Sequence, residues 1–294
     1  MRFAIFTASL PELSPEEAVA SLREIGYDGI EWRVTDQAPS PDGKPGFWSG
    51  NRCTLPLATF VEDAPRIRAL TEQAGLGMPN VGTYAVCDDL PGVERGMRGA
   101  ALLGAPALRV RVPRFDGRES FVRLRDRALE QFRGVEALAQ RHGVRALVET
   151  HQGTIVPSAS AAASFLQLER FDPRWVGAIH DAGNMVIEGY EHYRLGLETL
   201  GPYLAHVHLK NCRWRMVGTR ADGSQEWRAE WAPLTAGVVD VAALFEALGA
   251  VGYDGWISFE DFSTDQPLPE RIRGNLAYVK RVLGSAPRSV SSSA

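Results

Sequence analysis

Residues 145–181 read RALVETHQGTIVPSASAAASFLQLERFDPRWVGAIHD and decide the fold. The stretch begins with an apolar run over 145–150, continues with a segment of helical period over 158–169 and ends with a second apolar run over 176–181. Short β-branched runs that alternate with helical segments are typical of β-α-β units built on a parallel sheet. We therefore predict two parallel strands joined by a helix.

The same alternation extends over the whole chain. We predict eight strands, at 3–8, 29–34, 78–82, 107–112, 145–150, 176–181, 205–210 and 256–262. The predicted helices follow them at 15–25, 60–74, 92–103, 119–142, 158–169, 190–200, 239–250 and 269–283. Eight strands, each followed by a helix, in a chain of 294 residues predict an α/β fold, a single (β/α)8 TIM barrel. An open doubly wound sheet is the alternative, because sequence alone does not reveal strand order.

The predicted domain organisation is one barrel over residues 1–284. The tail 285–294, SAPRSVSSSA, is small and polar, so we predict that it is disordered. Long connections at 35–58 and 211–237 follow predicted strands, which puts them on the face where TIM barrels carry their active sites. The second is rich in Trp and Arg, a composition that suits either contact with a polyol or the anchoring of a loop or subunit.

Composition and charge exclude several classes of partner. The net charge of -4 provides no basic field for nucleic acid, and no apolar stretch of about 18 residues is present to span a membrane. Cys53, Cys87 and Cys212 are far apart and in no CxxC pair, which argues against a disulfide framework and a thiolate zinc site. Since the N-terminus lacks the pattern of a signal peptide, we expect a cytoplasmic protein that acts on a small molecule. A homo-oligomer and a complex with a partner subunit are both compatible with this composition.

The carboxyl ends of the last four predicted strands carry the residues that indicate chemistry. These are Glu149 in LVETH, Asp181 in AIHDAGN, His208 in HVHLKN and Glu260 in ISFEDF. Each residue type ligates divalent cations, and the carboxyl ends of barrel strands meet at one face. We therefore predict a site for one divalent metal ion. Three carboxylates and an imidazole favour Mn²⁺ as first choice, with Mg²⁺, Co²⁺, Zn²⁺ and Fe²⁺ as alternatives.

Strand alternation places further polar residues beside this site. His151 shares the face of Glu149, and Lys210 shares the face of His208, so both are predicted to meet substrate. His206 also shares the face of His208 and is either a deeper substrate contact or a satisfied core histidine. His180 is predicted to point toward the helices.

Six motifs in order give the chain a resemblance to a known family. They are GYDGIEW at 26–32, VETH at 148–151, HDAGNM at 180–185, HVHLKN at 206–211, AGVVD at 236–240 and GYDGWISFED at 252–261. With them the chain resembles the sugar phosphate isomerase/epimerase group of the xylose isomerase-like TIM barrel superfamily over nearly its whole length.

The resemblance implies an activity and residue roles. The family positions would make Glu149, Asp181, His208 and Glu260 the metal ligands, and Glu149 and Glu260 an acid/base pair acting on an enediolate of a keto sugar or related polyol. We assign His151 a further catalytic role. The predicted substrate contacts are Asn184, Lys210, Arg213, Arg215, His206 and Trp32, with surface ion pairs as the alternative for the two arginines.

Two departures from the ketose 3-epimerases favour a second reaction. Those epimerases have histidine where this chain has Asn184, and the run Thr150-His151-Gln152-Gly153-Thr154 looks more like inosose dehydratases and the deglycosidases of 3-keto-glycosides. The first hypothesis is therefore a metal-dependent isomerase or epimerase, and the alternative is a lyase of the same superfamily. A non-catalytic sugar-binding or accessory subunit is the second alternative. The related apurinic-site endonucleases, which use three zinc ions, do not fit an acidic chain with six histidines.

Overall fold

The computed structural model describes residues 1–285. The strands of this part are, in chain order, β1 (Arg2–Phe6), β2 (Gly29–Val34), β3 (Val81–Thr83), β4 (Ala107–Arg109), β5 (Arg145–Glu149), β6 (Val176–Asp181), β7 (Leu204–Leu209), β8 (Asn211–Thr219), β9 (Gln225–Ala232) and β10 (Trp256–Phe259). The helices are α1 (Pro15–Ile25), α2 (Phe60–Gln73), α3 (Leu90–Leu103), α4 (Phe121–His142), α5 (Ala159–Leu168), α6 (Ala182–Glu188), α7 (Tyr193–Leu200), α8 (Val241–Ala250) and α9 (Leu268–Ser285).

Parallel pairing closes the sheet into a barrel. Going round the barrel, the strands follow the order β1, β10, β7, β6, β5, β4, β3, β2, and β1 pairs with β10 from Arg2 opposite Trp256 onward. This closure confirms the predicted (β/α)8 barrel and excludes the open doubly wound sheet. The predicted tail lies outside the described residues, except for Ser285, which ends α9.

Local sequence signals set the helix ends. At α1, the Ser14 side chain accepts a hydrogen bond from the Glu17 backbone, and the Glu17 carboxylate accepts one from the Ser14 backbone, which forms a capping box. Gly26 ends the helix with φ of 91°, a left-handed conformation that glycine adopts without steric cost. The observed bounds of α1 equal the predicted ones.

One helix and one two-stranded hairpin were not predicted. Helix α6 has seven residues, too few for a helical period to show, and it begins directly after Asp181, whose side chain caps it. The segment 211–237 was predicted as a loop, but β8 and β9 form an antiparallel hairpin in it. The Asp222-Gly223 pair at its turn, with φ of 84° at Gly223, is the signal that indicates such a hairpin. No helix of the described part is long and apolar enough to cross a membrane.

Candidate metal and substrate site

The four predicted ligands lie close together at the carboxyl ends of four barrel strands. Glu149 ends β5, Asp181 ends β6, His208 lies in β7 opposite Asp181, and Glu260 follows β10. One donor atom from each of these side chains lies within 4.8 Å of the others, and all four residues are buried. The structure therefore brings the four sequence-predicted ligands together.

The imidazole of His208 faces the three carboxylates through one ring nitrogen. Its Nδ1 is 2.9 Å from Glu149 Oε1, 3.2 Å from Glu260 Oε1 and 3.8 Å from Asp181 Oδ2. Phe6 stacks on the ring at a centroid distance of 5.9 Å. Burial disfavours the charged ring, but the carboxylates of Glu260 and Glu31 outweigh it and raise the pKa of His208 well above its ordinary value.

The other nitrogen of His208 faces Glu31, a residue that the sequence analysis did not select. Nε2 lies 3.2 Å from both Glu31 carboxylate oxygens, and the Nε2 of His206 lies 2.9 Å from Oε2 of the same carboxylate. Asn80 Nδ2 donates a 2.8 Å hydrogen bond to Oε1. Burial opposes ionisation of Glu31, yet the rings of His208 and His206 hold its pKa well below its ordinary value. An acidic residue inside an apolar predicted strand was the signal for this second buried group.

Two cations neutralise part of the cluster. Arg109 Nη1 is 2.8 Å from Glu149 Oε2, and Lys210 Nζ is 2.6 Å from Asp181 Oδ2 and also pairs with Glu260. Although burial opposes it, the Arg109 guanidinium helps to hold the pKa of Glu149 well below its ordinary value. For Asp181, burial and the neighbouring carboxylates outweigh Lys210 and raise the pKa to about 7.

The donor set fits a divalent cation. Three carboxylates and an imidazole nitrogen match the ligands that hard and borderline divalent ions take in proteins. Burial raises the pKa of Asp181 and the charges of Glu260 and Glu149 add to this, which shows that the three carboxylates lie close enough to act on one another. Glu31, His206 and His208 form a second, overlapping group of the same kind.

A cavity of about 340 Å³ adjoins the cluster. Its aromatic wall consists of Phe6, Trp48, Tyr84, Trp231 and Phe262. Its polar wall consists of Arg109, Arg111, Arg114, Glu149, His151, Gln152, Asn184, Lys210 and Glu260. Since apolar faces and convergent polar groups share one concave space, the cavity suits a small polyhydroxylated molecule.

Three predicted substrate-facing residues line this cavity. The first is His151, whose Nδ1 lies 2.7 Å from the backbone carbonyl of Gln152. Because a carbonyl oxygen only accepts hydrogen bonds, Nδ1 carries the proton and donates it, and Nε2 of the neutral ring is an acceptor. Asn184 donates through Nδ2 to Asp181 at 2.9 Å, while its Oδ1 is buried without a hydrogen-bond partner in the described chain. The third of these residues is Lys210, which pairs with Asp181 and Glu260. Asn184 Oδ1 is thus a buried acceptor at the cavity wall whose hydrogen-bonding capacity is unused within residues 1–285.

Four other predictions are corrected or resolved. Trp32 is fully buried, and its Nε1 donates to Thr71 of α2, so strand alternation turns it toward the helices and away from the cavity. Arg213 and Arg215 pair with Glu230 at 2.8 Å on the hairpin, the surface ion pairs that were the alternative. His206 is buried beside Glu31 and does not line the cavity.

Sequence reasoning also missed Arg109, Arg111 and Tyr84. Arg109 and Arg111 are two positions apart in the run ALRVRV, so alternation alone places them on one face at the end of β4. The spacing in the sequence was therefore enough to place both arginines at the site. Tyr84 follows β3 and gave no comparable signal, because a single aromatic residue after a strand is as often core as site.

Comparisons with known proteins agree with this architecture. A family model described as xylose isomerase-like TIM barrel matches residues 19–282. An inosose dehydratase from Geobacillus thermodenitrificans is 30% identical over 131 residues, and the match spans 42% of this chain and 42% of that protein.

Two solved structures show the same fold. A 3-keto-D-glucoside 4-epimerase from E. coli is 18% identical with a TM-score of 0.71, covering 96% of this chain and 99% of that one. A xylose isomerase-like TIM barrel protein from Mycobacterium smegmatis, in complex with magnesium, is 18% identical with a TM-score of 0.67, covering 97% of each chain. Known proteins of this fold thus include an epimerase and a magnesium-bound protein.

Proposed function

The chain belongs to the xylose isomerase-like TIM barrel family, and on that premise we propose that it is a divalent-metal-dependent isomerase or epimerase of a keto sugar or related polyol. One observation carries the proposal: Glu149 and Glu260 belong to the buried ligand cluster and also line the cavity. Two carboxylates that face one substrate space are the groups needed to remove a proton from carbon and to return one.

Glu149, Asp181, His208 and Glu260 would hold the ion, with Mn²⁺ as first choice. When bound, a divalent ion supplies Lewis-acid polarisation of a carbonyl and stabilises negative charge on its oxygen. The match to an inosose dehydratase supports an enzyme, though of the lyase class, and the magnesium-bound protein of the same fold supports a divalent metal.

The protein's own residues would carry the proton. In an epimerisation, the C–H bond beside the carbonyl breaks and one glutamate takes the proton, while the electron pair moves into the enediolate. The other glutamate, which is protonated at the start, then donates its proton to the opposite face of the same carbon, which inverts it and leaves that glutamate ionised. Each carboxylate has a cationic partner while it carries the negative charge, Arg109 for Glu149 and Lys210 for Glu260.

A lyase is the second candidate, and His151 is the observation that favours it. Its Nδ1 is engaged by the Gln152 carbonyl, and Nε2 has no hydrogen-bond partner in the described chain while the side chain lines the cavity. Burial lowers its pKa, so the ring is neutral at pH 7 and able to accept a proton. In an elimination the imidazole would take the proton from carbon, and the C–H electron pair would form a C=C bond as the C–O bond at the adjacent carbon breaks. The imidazolium would return the proton to the departing hydroxyl, which leaves as water.

Turnover in D₂O separates these reactions. Metal-loaded protein is incubated with a ketohexose, an inosose and a 3-keto-glycoside, and products are followed by NMR and ultraviolet absorbance. An epimerase gives an isomerised sugar that carries solvent deuterium, and a lyase gives an absorbing enone or a released aglycone. No turnover and no deuterium exchange with the whole panel, in protein shown to hold metal, would contradict both reactions and favour a non-catalytic sugar-binding subunit.

A further inference from the structure

The arginines of the cavity differ in whether they have a partner. Of the four cationic residues in the cavity wall, Arg109 and Lys210 are paired with the carboxylates of the cluster. Arg111 and Arg114 make no ion pair and no side-chain hydrogen bond within residues 1–285. Since the whole chain has a net charge of -4, this positive charge is a local property of the cavity.

The ring of Tyr84, in the same wall of the cavity, lies close to three guanidinium groups. The guanidinium carbons of Arg109, Arg33 and Arg111 lie 4.8, 4.9 and 5.4 Å from the centre of its ring. Burial lowers the pKa of Arg111, and the charge of Arg109 lowers it further, so like charges are crowded here. Aromatic contact offsets part of this repulsion, but it provides no negative charge.

The two unpaired arginines lie at different depths. Arg111 is half-buried and Arg114 is exposed, so the pair extends from the cavity wall toward solvent. The backbone of Arg114 bridges to Thr154, and its guanidinium lies beside Gly153 in the turn that carries His151 and Gln152. An anion held by these arginines would therefore sit within the same cavity as Glu149 and His151.

We propose that the substrate carries an oxyanion, a carboxylate or a phosphate, and that Arg111 and Arg114 bind it. This inference rests on the proposed function, because it names the class of sugar that the site takes. Guanidinium groups bind both oxyanions through paired N–H donors, and a half-buried guanidinium is less screened than one on the surface. A neutral sugar would leave both charges unmatched.

Direct binding tests the proposal without requiring turnover. D-glucuronate, D-glucose 6-phosphate and D-glucose are titrated into the full chain by calorimetry, once after EDTA treatment and once loaded with Mn²⁺. We expect one or both anionic sugars to bind at least about tenfold more tightly than glucose in both states, with an affinity that falls as salt rises. Glucuronate binding alone identifies a carboxylate, and phosphate-sugar binding alone identifies a phosphate.

Variants assign the binding to the two arginines. Arg111→Gln and Arg114→Gln should each weaken the anionic sugars about tenfold and change glucose affinity little, and Arg111→Lys should restore part of the loss. The matched control is Arg174→Gln, whose side chain is 79% exposed before β6 and pairs with Asp172. Equal affinities for charged and neutral sugars, or an equal loss of both in the variants, would overturn the proposal. Anion binding without turnover, on a D₂O panel that also holds carboxylate and phosphate forms of those keto sugars, would contradict only the proposed reaction, and turnover without anion preference only this inference.

Discussion

The Nε2 atom of His208 lies 3.2 Å from both carboxylate oxygens of Glu31, on the side of the ring opposite the three predicted carboxylate ligands. Because a carboxylate only accepts hydrogen bonds, this contact requires a proton on Nε2. Nδ1 faces the three carboxylates and by the same rule carries a proton there, so it is the nitrogen whose proton a cation would replace. Glu31 thus acts as a positioning residue for the imidazole, in the way that carboxylates orient metal-ligating histidines in other proteins.

Replacing Glu31 should therefore weaken metal binding without removing a predicted ligand of the first cluster. For Glu31→Gln we expect Mn²⁺ affinity to fall by about 10- to 100-fold, because the ring loses the charged acceptor that fixes its tautomer. Calorimetry with Mn²⁺ measures the affinity, and circular dichroism checks the fold.

The Mn²⁺ titration of Glu31→Gln is compared with a control variant and with the stoichiometry of the unaltered chain. Glu72→Gln changes a glutamate whose side chain is 53% exposed on α2, and it should leave Mn²⁺ affinity unchanged. The stoichiometry of the unaltered chain should be one ion. Two ions per chain would instead indicate that Glu31, His206 and His208 form a ligand group of their own.

Metal binding should also stabilise the folded chain. The cluster gathers three buried carboxylates, so an ion that binds only the folded state raises the free energy of unfolding. At a free concentration about 100-fold above Kd the gain is about 2.7 kcal/mol, which predicts a rise in Tm of several degrees. Scanning calorimetry in EDTA and in Mn²⁺ measures it. Asp181→Asn should abolish most of the rise, and an equal rise in that variant would contradict the assignment of Asp181 as a ligand.

The fold was predictable because the signal for each barrel strand is local. The predicted bounds of β2 and β6 equal the observed ones, Gly29–Val34 and Val176–Asp181. At β4 the predicted strand reached residue 112 while the observed one ends at Arg109, although Val110 still donates a backbone hydrogen bond to Leu147. The hydrogen-bonded pairing between strands becomes irregular near the rim of the barrel, and the hydrophobic pattern of the sequence does not show where this pairing ends.

The candidate site was predictable only in part, for a geometric reason. Glu149 and Asp181 stand at the ends of neighbouring strands, so alternation and chain order are enough to bring them together. Glu31 approaches His208 across the barrel interior from β2, a contact between residues 177 positions apart that no local pattern encodes. Trp32 was predicted as a substrate contact, but it neighbours Glu31 on the strand, so alternation turns its side chain to the opposite face, toward the helices.

The corrected position of Trp32 makes a stability prediction. The side chain is fully buried and its Nε1 donates to Thr71 Oγ1 at 3.3 Å, so Trp32→Ala should destabilise the chain by about 3–5 kcal/mol through the cavity it leaves. Urea denaturation measures this loss. The milder Trp32→Phe should fold and leave KM for any accepted sugar unchanged. A large rise in KM for Trp32→Phe, with unaltered stability, would return Trp32 to the substrate site.

The two glutamates of the cluster should divide the proton transfer between the faces of the substrate. If each acts on one face, Glu149→Gln and Glu260→Gln should each lower kcat for epimerisation by about 10²- to 10⁴-fold. Each variant keeps one carboxylate, so each should still exchange the carbon-bound proton of one epimer with D₂O, and the two variants should act on opposite epimers. NMR of both epimers in D₂O, at saturating Mn²⁺, measures this exchange. Asp261→Asn is the matched control, because Asp261 is a buried carboxylate beside Glu260 that accepts hydrogen bonds from Ser263 and Asn275 and does not line the cavity. Loss of exchange on both epimers in one glutamate variant, with both exchanges retained in the other, would show that one base serves both faces.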